Sequence, residues 1–273
     1  MTKTFAVIGD PIDHSLSPNI HNSAFRKLDL DCTYIGYRIP KNELDSGIDA
    51  LKKIKISGFN VTIPHKINIM KFLDNMDEDS KLIGASNTVT NQNDTLTGYN
   101  TDMKGFLEPI LQRELDIKNS NILLYGAGGA SRAIIVGFAK QNAKKITIVN
   151  RTVEKGKELE DLGKKLGLDS NAITFENFEG NKNKYDFIIN STSIGMKNEN
   201  FPISQDLIDE SSVVYDIVYK PINTDLIKKA KTANATIIYG YEMLLYQAVK
   251  SFEIWMDRKA PYDSMKKAIL GGF

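Results

Sequence analysis

The sequence is nearly free of cysteine, since Cys32 is the single one in 273 residues. One cysteine cannot form a disulfide within the chain, so a small disulfide-stabilised secreted fold is excluded. The N-terminus leads directly into an apolar segment at residues 5–8 rather than into the core of a signal peptide. This pattern and the lone thiol, which suits a reducing compartment, predict a cytoplasmic protein.

The sequence also lacks long apolar runs and any excess of charge. No run approaches the roughly 18 apolar residues of a membrane span, so no membrane partner is expected. Lysine and arginine number 35 and aspartate and glutamate 34, which argues against an extended nucleic-acid-binding surface. The three histidines, His14, His21 and His65, fit no metal-ligand spacing. We therefore expect no metal, and we interpret the histidines as structural hydrogen-bonding residues.

One stretch, residues 121–152, organises the rest of the chain. An apolar run stops at the glycine turn 126–129, a helical pattern follows, and a second β-branched run occupies residues 146–149. Strand, turn, helix and strand form a βαβ unit, and the N-terminus of its helix can bind a pyrophosphate. Ser131 stands where the G-x-G-x-x-G fingerprint has its third glycine. Alone, such a turn could also belong to any α/β protein.

The residues after the second strand indicate which dinucleotide is bound. NAD-binding units usually carry Asp or Glu there, whose carboxylate accepts bonds from the ribose 2′-hydroxyl. This sequence has Asn150 and Arg151, with Lys155 one turn further on. A guanidinium can bind a 2′-phosphate through two parallel bonds, whereas a carboxylate would repel it. The pattern favours NADP, although Arg151 could also be a solvated cation at a strand end.

Alternating strand and helix patterns predict an α/β fold with two domains, an N-terminal α/β substrate domain and a Rossmann-type, doubly wound dinucleotide-binding domain. A helix after residue 101 should be bent or divided by Pro109, and Ser17 before Pro18 should be a helix N-cap. Helices beyond Gly240 should pack back on the N-terminal domain. The predicted strands are 5–8, 34–39, 59–63, 88–90, 95–98, 122–125, 146–149, 173–175, 187–190, 213–216 and 236–239, and the predicted N-terminal helices are 18–28, 42–54 and 65–73.

Four polar clusters lie in loops and at strand ends, at residues 15–17, 60–66, 86–88 and 98–102. In open α/β sheets, ligands bind beyond the carboxyl ends of the strands. With these clusters the sequence resembles the shikimate dehydrogenase family, NADP-dependent enzymes that reduce 3-dehydroshikimate to shikimate, over nearly its whole length. It departs from the family pattern at Ala248, where glycine is usual, and at Ser80, where alanine is common. The segments that carry the resemblance are 9–22, 60–66, 84–88, 98–102, 126–130, 150–152, 190–193, 216–219 and 240–247.

The resemblance implies roles for individual residues. Lys66 and Asp102 match the catalytic pair, in which an ammonium supplies the proton that a developing alkoxide needs; without the resemblance they could be a surface ion pair. The substrate-binding matches are Ser15, Ser17, Asn60, Thr62, Asn87, Tyr219 and Gln247. The cofactor-binding matches are Gly126, Ala127, Gly128, Gly129, Ala130, Asn150, Arg151, Thr152, Lys155, Ile217, Gly240, Met243 and Glu78.

We therefore expect a substrate-binding domain at residues 1–101, completed by 238–273, and an NADP-binding Rossmann domain at 102–237. The expected partners are shikimate and 3-dehydroshikimate, and the chain is expected to act as a monomer or homodimer. Two alternatives remain open at this point. One is a quinate/shikimate or aminoshikimate dehydrogenase of broader specificity. The other, from a different functional class, is a non-catalytic module that senses shikimate or quinate.

Overall fold

A computed structural model describes residues 2–178 and 183–273. The chain forms two compact units. The first unit comprises Met1–Gly105 and Leu244–Gly272, and the second comprises Phe106–Met243 and Phe273. The predicted α/β class is confirmed, because each unit contains a six-stranded sheet together with helices.

The first unit is built on a mixed sheet in the order β2-β1-β3-β5-β6-β4. The strand β1 pairs in parallel with β2 and β3, whereas β5 pairs antiparallel with β3 and β6. Asn93 and Asp94 join β5 to β6 with positive φ angles of 52° and 64°, as a two-residue hairpin requires. The elements are β1 (Lys3–Gly9), α1 (Ser17–Lys27), β2 (Cys32–Arg38), α2 (Leu44–Lys53), β3 (Gly58–Val61), β4 (Asn75–Met76), α3 (Glu78–Ile83), β5 (Thr88–Gln92) and β6 (Thr95–Tyr99).

The second unit contains a fully parallel sheet in the order β12-β11-β10-β7-β8-β9. The chain leaves β7 toward one edge and later returns to β10 on its other side, so the β7–α5 turn lies at the topological switch point of a doubly wound sheet. Its own elements are β7 (Asn121–Tyr125), α5 (Gly129–Lys140), β8 (Lys145–Val149), α6 (Val153–Lys165), β9 (Asp169–Ile173), α7 (Phe175–Phe178), β10 (Phe187–Asn190), β11 (Val213–Asp216), α8 (Asp225–Thr232) and β12 (Thr236–Tyr239). Two helices have residues in both units, α4 (Asp102–Leu111) and α9 (Gly240–Met256), and α10 (Tyr262–Leu270) belongs to the first unit.

The C-terminal helices pack on the first unit. The Ser264 hydroxyl of α10 donates to the Ser23 carbonyl of α1 at 3.3 Å, and Ser23 Oγ lies 3.2 Å from the Ser264 carbonyl oxygen. The Trp255 indole of α9 donates to the Val89 carbonyl of β5 at 3.0 Å. These bonds complete the first unit with residues that lie far away in the sequence.

Several sequence predictions about elements are wrong. The third Rossmann strand, predicted at 173–175, is Asp169–Ile173, and Phe175 begins the short helix α7. The helix predicted at 65–73 is only a 3-10 helix, Asn68–Phe72. Of the two expected effects of Pro109, division of α4 is wrong, because the residue lies near the C-terminal end of that helix, where few backbone bonds depend on it. The expected bend stays a prediction.

Other boundaries also differ from their predictions. Ser17 is not an N-cap: α1 begins at Ser17 itself, and Leu16 precedes it without a side-chain capping bond. The strand predicted at 59–63 ends at Val61, and β2 begins at Cys32 and ends at Arg38. Such shifts of a few residues leave the order of the elements unchanged.

Candidate active site

A largely buried ion pair in the first unit joins Lys66 to Asp102. Lys66 Nζ lies 2.5 Å from Asp102 Oδ2, and the side chains are 16% and 4% exposed. An ion pair this buried must be well satisfied to persist, because both charges are largely removed from water. The Lys66 side chain keeps a small exposed area, through which a bound molecule can contact its ammonium.

The backbone around this pair is held by the side-chain amide of Asn100 and by one backbone hydrogen bond. Asn100 Oδ1 accepts from the Asp102 and Met103 N–H groups at 3.1 and 3.3 Å, which caps the start of α4. Asn100 Nδ2 donates to the Ala85 carbonyl at 2.8 Å. The Lys66 carbonyl accepts from the Ser86 N–H at 2.9 Å. Both members of the pair are therefore fixed to the segment that leads into β5.

Asn87 contacts the second oxygen of the Asp102 carboxylate. Its Nδ2 donates to Asp102 Oδ1 at 2.9 Å and lies 2.9 Å from Thr101 Oγ1 and 3.3 Å from Gln247 Oε1. Its Oδ1 accepts from the Thr101 N–H at 2.7 Å. Three of the residues predicted to act in the site, Asn87, Asp102 and Gln247, are thus brought together with Lys66 in one cluster.

Asn60 is 5% exposed and its amide is engaged inside the protein. Its Nδ2 lies 3.0–3.1 Å from the Asn87 carbonyl and the Ser251 hydroxyl, and its Oδ1 accepts from the Tyr34 hydroxyl at 2.6 Å. Burial raises the pKa of Tyr34, and a hydrogen bond from Ser17 acts in the opposite direction. Asn60 and Ser17 therefore lie in a buried chain of bonds beneath Asn87.

Ser15 and Thr62 stand on the loops after β1 and β3, and both are partly exposed. Ser15 Oγ accepts from the Ser17 N–H at 3.3 Å. A Cβ at Gly9 would lie 2.4 Å from Thr62 Cγ2 and 2.8 Å from the Ile63 carbonyl, so only glycine allows these loops to approach. The close approach holds Thr62 beside the end of β1.

The histidine prediction is correct for one residue only. His65 Nε2 bonds the Ile39 carbonyl at 2.7 Å in a fully buried position. His21 has no hydrogen-bond partner for either ring nitrogen within residues 2–178 and 183–273; its ring stacks on Tyr34 at 4.5 Å, and burial lowers its pKa to about 3. His14 is exposed. Sequence spacing could not distinguish stacking from hydrogen bonding.

In the second unit the glycine turn has the features of a phosphate-binding loop. Gly126 has a φ of 109°, a conformation that side chains disfavour. A Cβ on Gly128 would meet none of the described atoms within 4 Å, which leaves open space in front of the first turn of α5. The N–H groups of that turn point to this space and attract anions. These residues fit a dinucleotide pyrophosphate.

The residues predicted to select the cofactor follow β8. Arg151, Thr152 and Lys155 are exposed at the start of α6. Asn150 is partly exposed, and its Nδ2 donates to the Thr152 carbonyl at 2.8 Å, which shapes the turn. Two cations on an open turn fit a phosphate better than a ribose hydroxyl.

A buried carboxylate, Asp216, organises the loops after β10 and β11. Its Oδ1 accepts from Asn190 Nδ2 at 2.8 Å and from the Val218 N–H at 2.9 Å, and its Oδ2 accepts from the Thr224 hydroxyl at 2.6 Å. Burial raises the pKa of Asp216 to about 6 despite these bonds. Asn190 and Asp216 are the polar residues that end these two apolar strands, and their position could have indicated the network from sequence. The sequence analysis assigned neither residue a role.

The hydrogen bonds of Asp216 hold the loop after β11, which contains residues that were predicted to contact ligands. Tyr219 follows the loop that the Val218 N–H anchors, and burial raises its pKa. A Cβ on Gly240 would lie 2.4 Å from the Ile217 carbonyl, so glycine is required where α9 begins beside that loop.

We expect Asp216→Asn to remove a pH dependence of stability. The folded protein binds the Asp216 proton more tightly than an unfolded chain, whose Asp titrates near 3.8, so this group's contribution should increase as pH falls. Between about pH 7 and pH 4 the wild type should gain up to about 3 kcal/mol in free energy of unfolding relative to the variant. Urea unfolding at several pH values measures this difference. Parallel stability curves would contradict the prediction.

Comparison with known proteins places the sequence in a family. Models of three families match: a shikimate dehydrogenase substrate binding domain at residues 7–89, a shikimate / quinate 5-dehydrogenase domain at 109–217, and a shikimate 5′-dehydrogenase C-terminal domain at 240–270. The chain is 63% identical over 273 residues to the shikimate dehydrogenase (NADP(+)) of Nitrosopumilus maritimus, covering all of both chains.

The chain belongs to the shikimate dehydrogenase family.

Solved structures of this family are similar along the whole chain. A shikimate dehydrogenase crystallised with NADP+ is 39% identical, with a TM-score of 0.88 over 99% of this chain and 95% of that one. The shikimate 5-dehydrogenase of Thermus thermophilus, crystallised with NADP(H) and shikimate, is 28% identical, with a TM-score of 0.87 and full coverage of both chains. The two-domain α/β fold predicted from sequence agrees with these relatives.

Two remaining site predictions for this family member lie on helices. Glu78 is exposed at the start of α3, and Met243 is buried in α9, four residues before Gln247. In the described part of the chain, no cluster of three or more His, Cys, Asp or Glu residues could hold a metal ion. No helix there is long and apolar enough to cross a membrane.

Proposed function

We propose that this protein catalyses the reversible, NADPH-dependent reduction of 3-dehydroshikimate to shikimate, a step toward chorismate and the aromatic amino acids. The observation that carries the proposal is the buried Lys66–Asp102 pair held by Asn87. A chain of the same family that only sensed a ligand would not require an ammonium positioned in this way. In this proposal the first unit binds the substrate and the second binds NADP.

Lys66 acts as the general acid in the reductive direction. NADPH, when bound, supplies the hydride for the carbonyl carbon. The ammonium donates a proton to the carbonyl oxygen as negative charge develops there, and its positive charge stabilises that oxygen beforehand. Because Lys66 keeps some exposure, it can regain a proton from water after the step.

Asp102 and Asn87 orient the acid. Asp102 holds the Lys66 Nζ at 2.5 Å, and Asn87 donates to the other carboxylate oxygen, so neither group can rotate without breaking a bond. A substrate hydroxyl beside Asp102 can donate to the same carboxylate. The buried bonds from Asn60 to the Asn87 carbonyl support this arrangement, which makes Asn60 a supporting residue rather than a direct substrate contact.

The substrate carboxylate is assigned to Ser15 and Ser17, near the start of α1. We expect the double substitution Ser15→Ala and Ser17→Ala to raise the KM for shikimate about tenfold or more, because two hydroxyl donors are lost. The affinity for NADPH should be nearly unchanged, since the substitutions lie in the first unit. An unaltered KM would give both serines a purely structural role, to which the Ser17–Tyr34 bond already contributes.

NADP is the cofactor that these residues fit best. Gly126, Ala127, Gly128, Gly129 and Ala130 would hold the pyrophosphate, and Arg151, Thr152 and Lys155 the adenosine 2′-phosphate. The assay that tests the proposal measures NADPH formation with shikimate and NADP, repeated with NAD and with quinate. Shikimate with NADP should give the largest kcat/KM. Comparable rates with quinate would favour the broader dehydrogenase, and no turnover with any pair would favour the sensing module.

We also propose a cytoplasmic location and a monomeric or dimeric state. The free thiol of Cys32 and the use of NADPH both suit a reducing compartment. Sedimentation of the purified protein over a range of concentrations would distinguish a monomer from a homodimer.

A further inference from the structure

Two serines connect the glycine turn of the second unit to the loop after β10. Ser131 Oγ lies 2.9 Å from the Gly128 nitrogen and 2.8 Å from Ser191 Oγ. Ser191 Oγ in turn lies 2.6 Å from the Tyr125 carbonyl oxygen, and the Ser191 N–H donates to the same carbonyl at 2.8 Å. The bonds run from the end of β7, through Ser191, to the first turn of α5.

Chemistry fixes the direction of every proton in this chain. The Tyr125 carbonyl can only accept, so the Ser191 hydroxyl donates to it. The Gly128 N–H can only donate, so Ser131 Oγ accepts from it. The Ser191 hydroxyl has one proton, already used, so Ser131 must donate to Ser191. The sequence Gly128 N–H, Ser131 O–H, Ser191 O–H, Tyr125 C=O is therefore fully determined.

We propose that Ser131 and Ser191 are positioning residues of the phosphate-binding turn and make no hydrogen bond to the cofactor. This inference rests on the proposed binding of NADP at this turn. Both the Gly128 N–H and the Ser131 hydroxyl proton are directed into the protein, so neither can be donated to a phosphate. The pyrophosphate is then bound by the next amides of the helix, those of Gly129 and Ala130, which precede the first i to i−4 bond, from Arg132 to Gly128.

The shape of the turn depends on the same pair of hydroxyls. Gly126 has a φ of 109°, and a Cβ there would lie 2.7 Å from Ser191 Oγ. Ser191 thus packs directly on Gly126 while Ser131 holds Gly128, and Ser131 is fully buried. The position where the usual fingerprint needs a third glycine is occupied here by a residue that stabilises the turn with its hydroxyl.

The proposal predicts that restoring the consensus glycine impairs binding. Ser131→Gly and Ser131→Ala should each weaken NADPH binding about tenfold, because the turn loses two internal hydrogen bonds and must be ordered by the cofactor. Ser191→Ala should have a similar effect. The double variant Ser131→Ala, Ser191→Ala should lose little more than the worse single variant, since the hydroxyls act in one chain. The control Ser204→Ala alters an exposed serine of the same unit and should change nothing.

Two measurements test the inference. Titration of NADPH against protein fluorescence gives the dissociation constant of each variant, and amide hydrogen exchange by NMR without cofactor reports the Gly128 N–H directly. That N–H should be protected in the wild type and exchange much faster in both Ser131 variants. Faster exchange of the Gly128 N–H, with unchanged NADPH affinity in Ser131→Gly, Ser131→Ala and Ser191→Ala alike, would show that the hydrogen bonds exist but that the cofactor does not bind at this turn. That result would contradict the proposed cofactor site as well as this role of the serines.

Two other results would overturn the inference itself. An unprotected Gly128 amide in the wild type would show that Ser131 does not hold it, and this measurement needs no variant to fold. NADPH binding to Ser131→Gly as tight as to the wild type, with weaker binding to Ser131→Ala, would show that glycine serves equally well there. KM for shikimate at saturating NADP should stay within about twofold in the Ser131 variants, whose bonds lie within the second unit.

Discussion

Replacing Lys66 with alanine should reduce turnover roughly a hundredfold to ten-thousandfold in both directions, the range of general acid–base catalysis. The reductive reaction loses its proton donor, and the oxidative reaction loses the group that accepts the proton. NADPH binding should be largely unaffected, because Lys66 belongs to the first unit. Steady-state rates and NADPH fluorescence titration on the same preparation measure both effects.

Asp102, the ion-pair partner of Lys66, allows a stricter test of this prediction. Asp102→Ala should also cost much activity, and the double variant Lys66→Ala, Asp102→Ala should cost far less than the two single losses combined, because the residues act as a unit. Lys104→Ala is the matched control, since Lys104 lies on the same helix as Asp102 and is 57% exposed.

Near-wild-type turnover in Lys66→Ala, with an unchanged pH profile, would remove Lys66 from the reaction. His65 is its neighbour in sequence, but its Nε2 bonds the Ile39 carbonyl in a fully buried position. That geometry gives His65 a structural role and supports the proposal of Lys66 as the acid. An active Lys66 variant would therefore require a different site.

Replacing Arg151 with alanine should weaken NADPH binding about 10- to 100-fold, through the loss of a charge-assisted bond to the 2′-phosphate. NADH lacks that phosphate, so its affinity should change by much less. The difference between the two dissociation constants is the quantity that matters, because it cancels any general damage to the turn. Lys228→Ala, an exposed cation on α8, is the control. Equal losses for both cofactors would mean that Arg151 does not recognise the phosphate.

The order of elements could be predicted from sequence because the buried strands are strongly apolar. The strands β7, β8, β10, β11 and β12 carry Ile, Leu, Val and Tyr in short runs bounded by polar or glycine residues. The strand β9 has the sequence DSNAI, which has little intrinsic strand preference, and it forms by pairing in parallel with β8. Because β9 depends on tertiary pairing rather than on its own residues, the strand was predicted too late in the sequence, at the more apolar residues 173–175.

The site was only partly accessible to sequence reasoning for a related reason. Motif order indicated Lys66, Asp102, Asn87 and Gln247 as separate residues, and the structure adds the bonds that join them. The buried interactions of Asn60, the stacking of His21 and the Asp216 network depend on which side chains meet across elements. Hydrophobic periodicity carries no information about those partners.

The most direct test of the account is a mixing experiment with the purified protein, NADPH and 3-dehydroshikimate. The absorbance of NADPH should fall with turnover, shikimate should appear in equal amount, and the Lys66→Ala protein should bind NADPH yet show little of this change. Failure of the wild type to consume NADPH with 3-dehydroshikimate, or full activity in the Lys66→Ala protein, would contradict the proposed reaction and its acid.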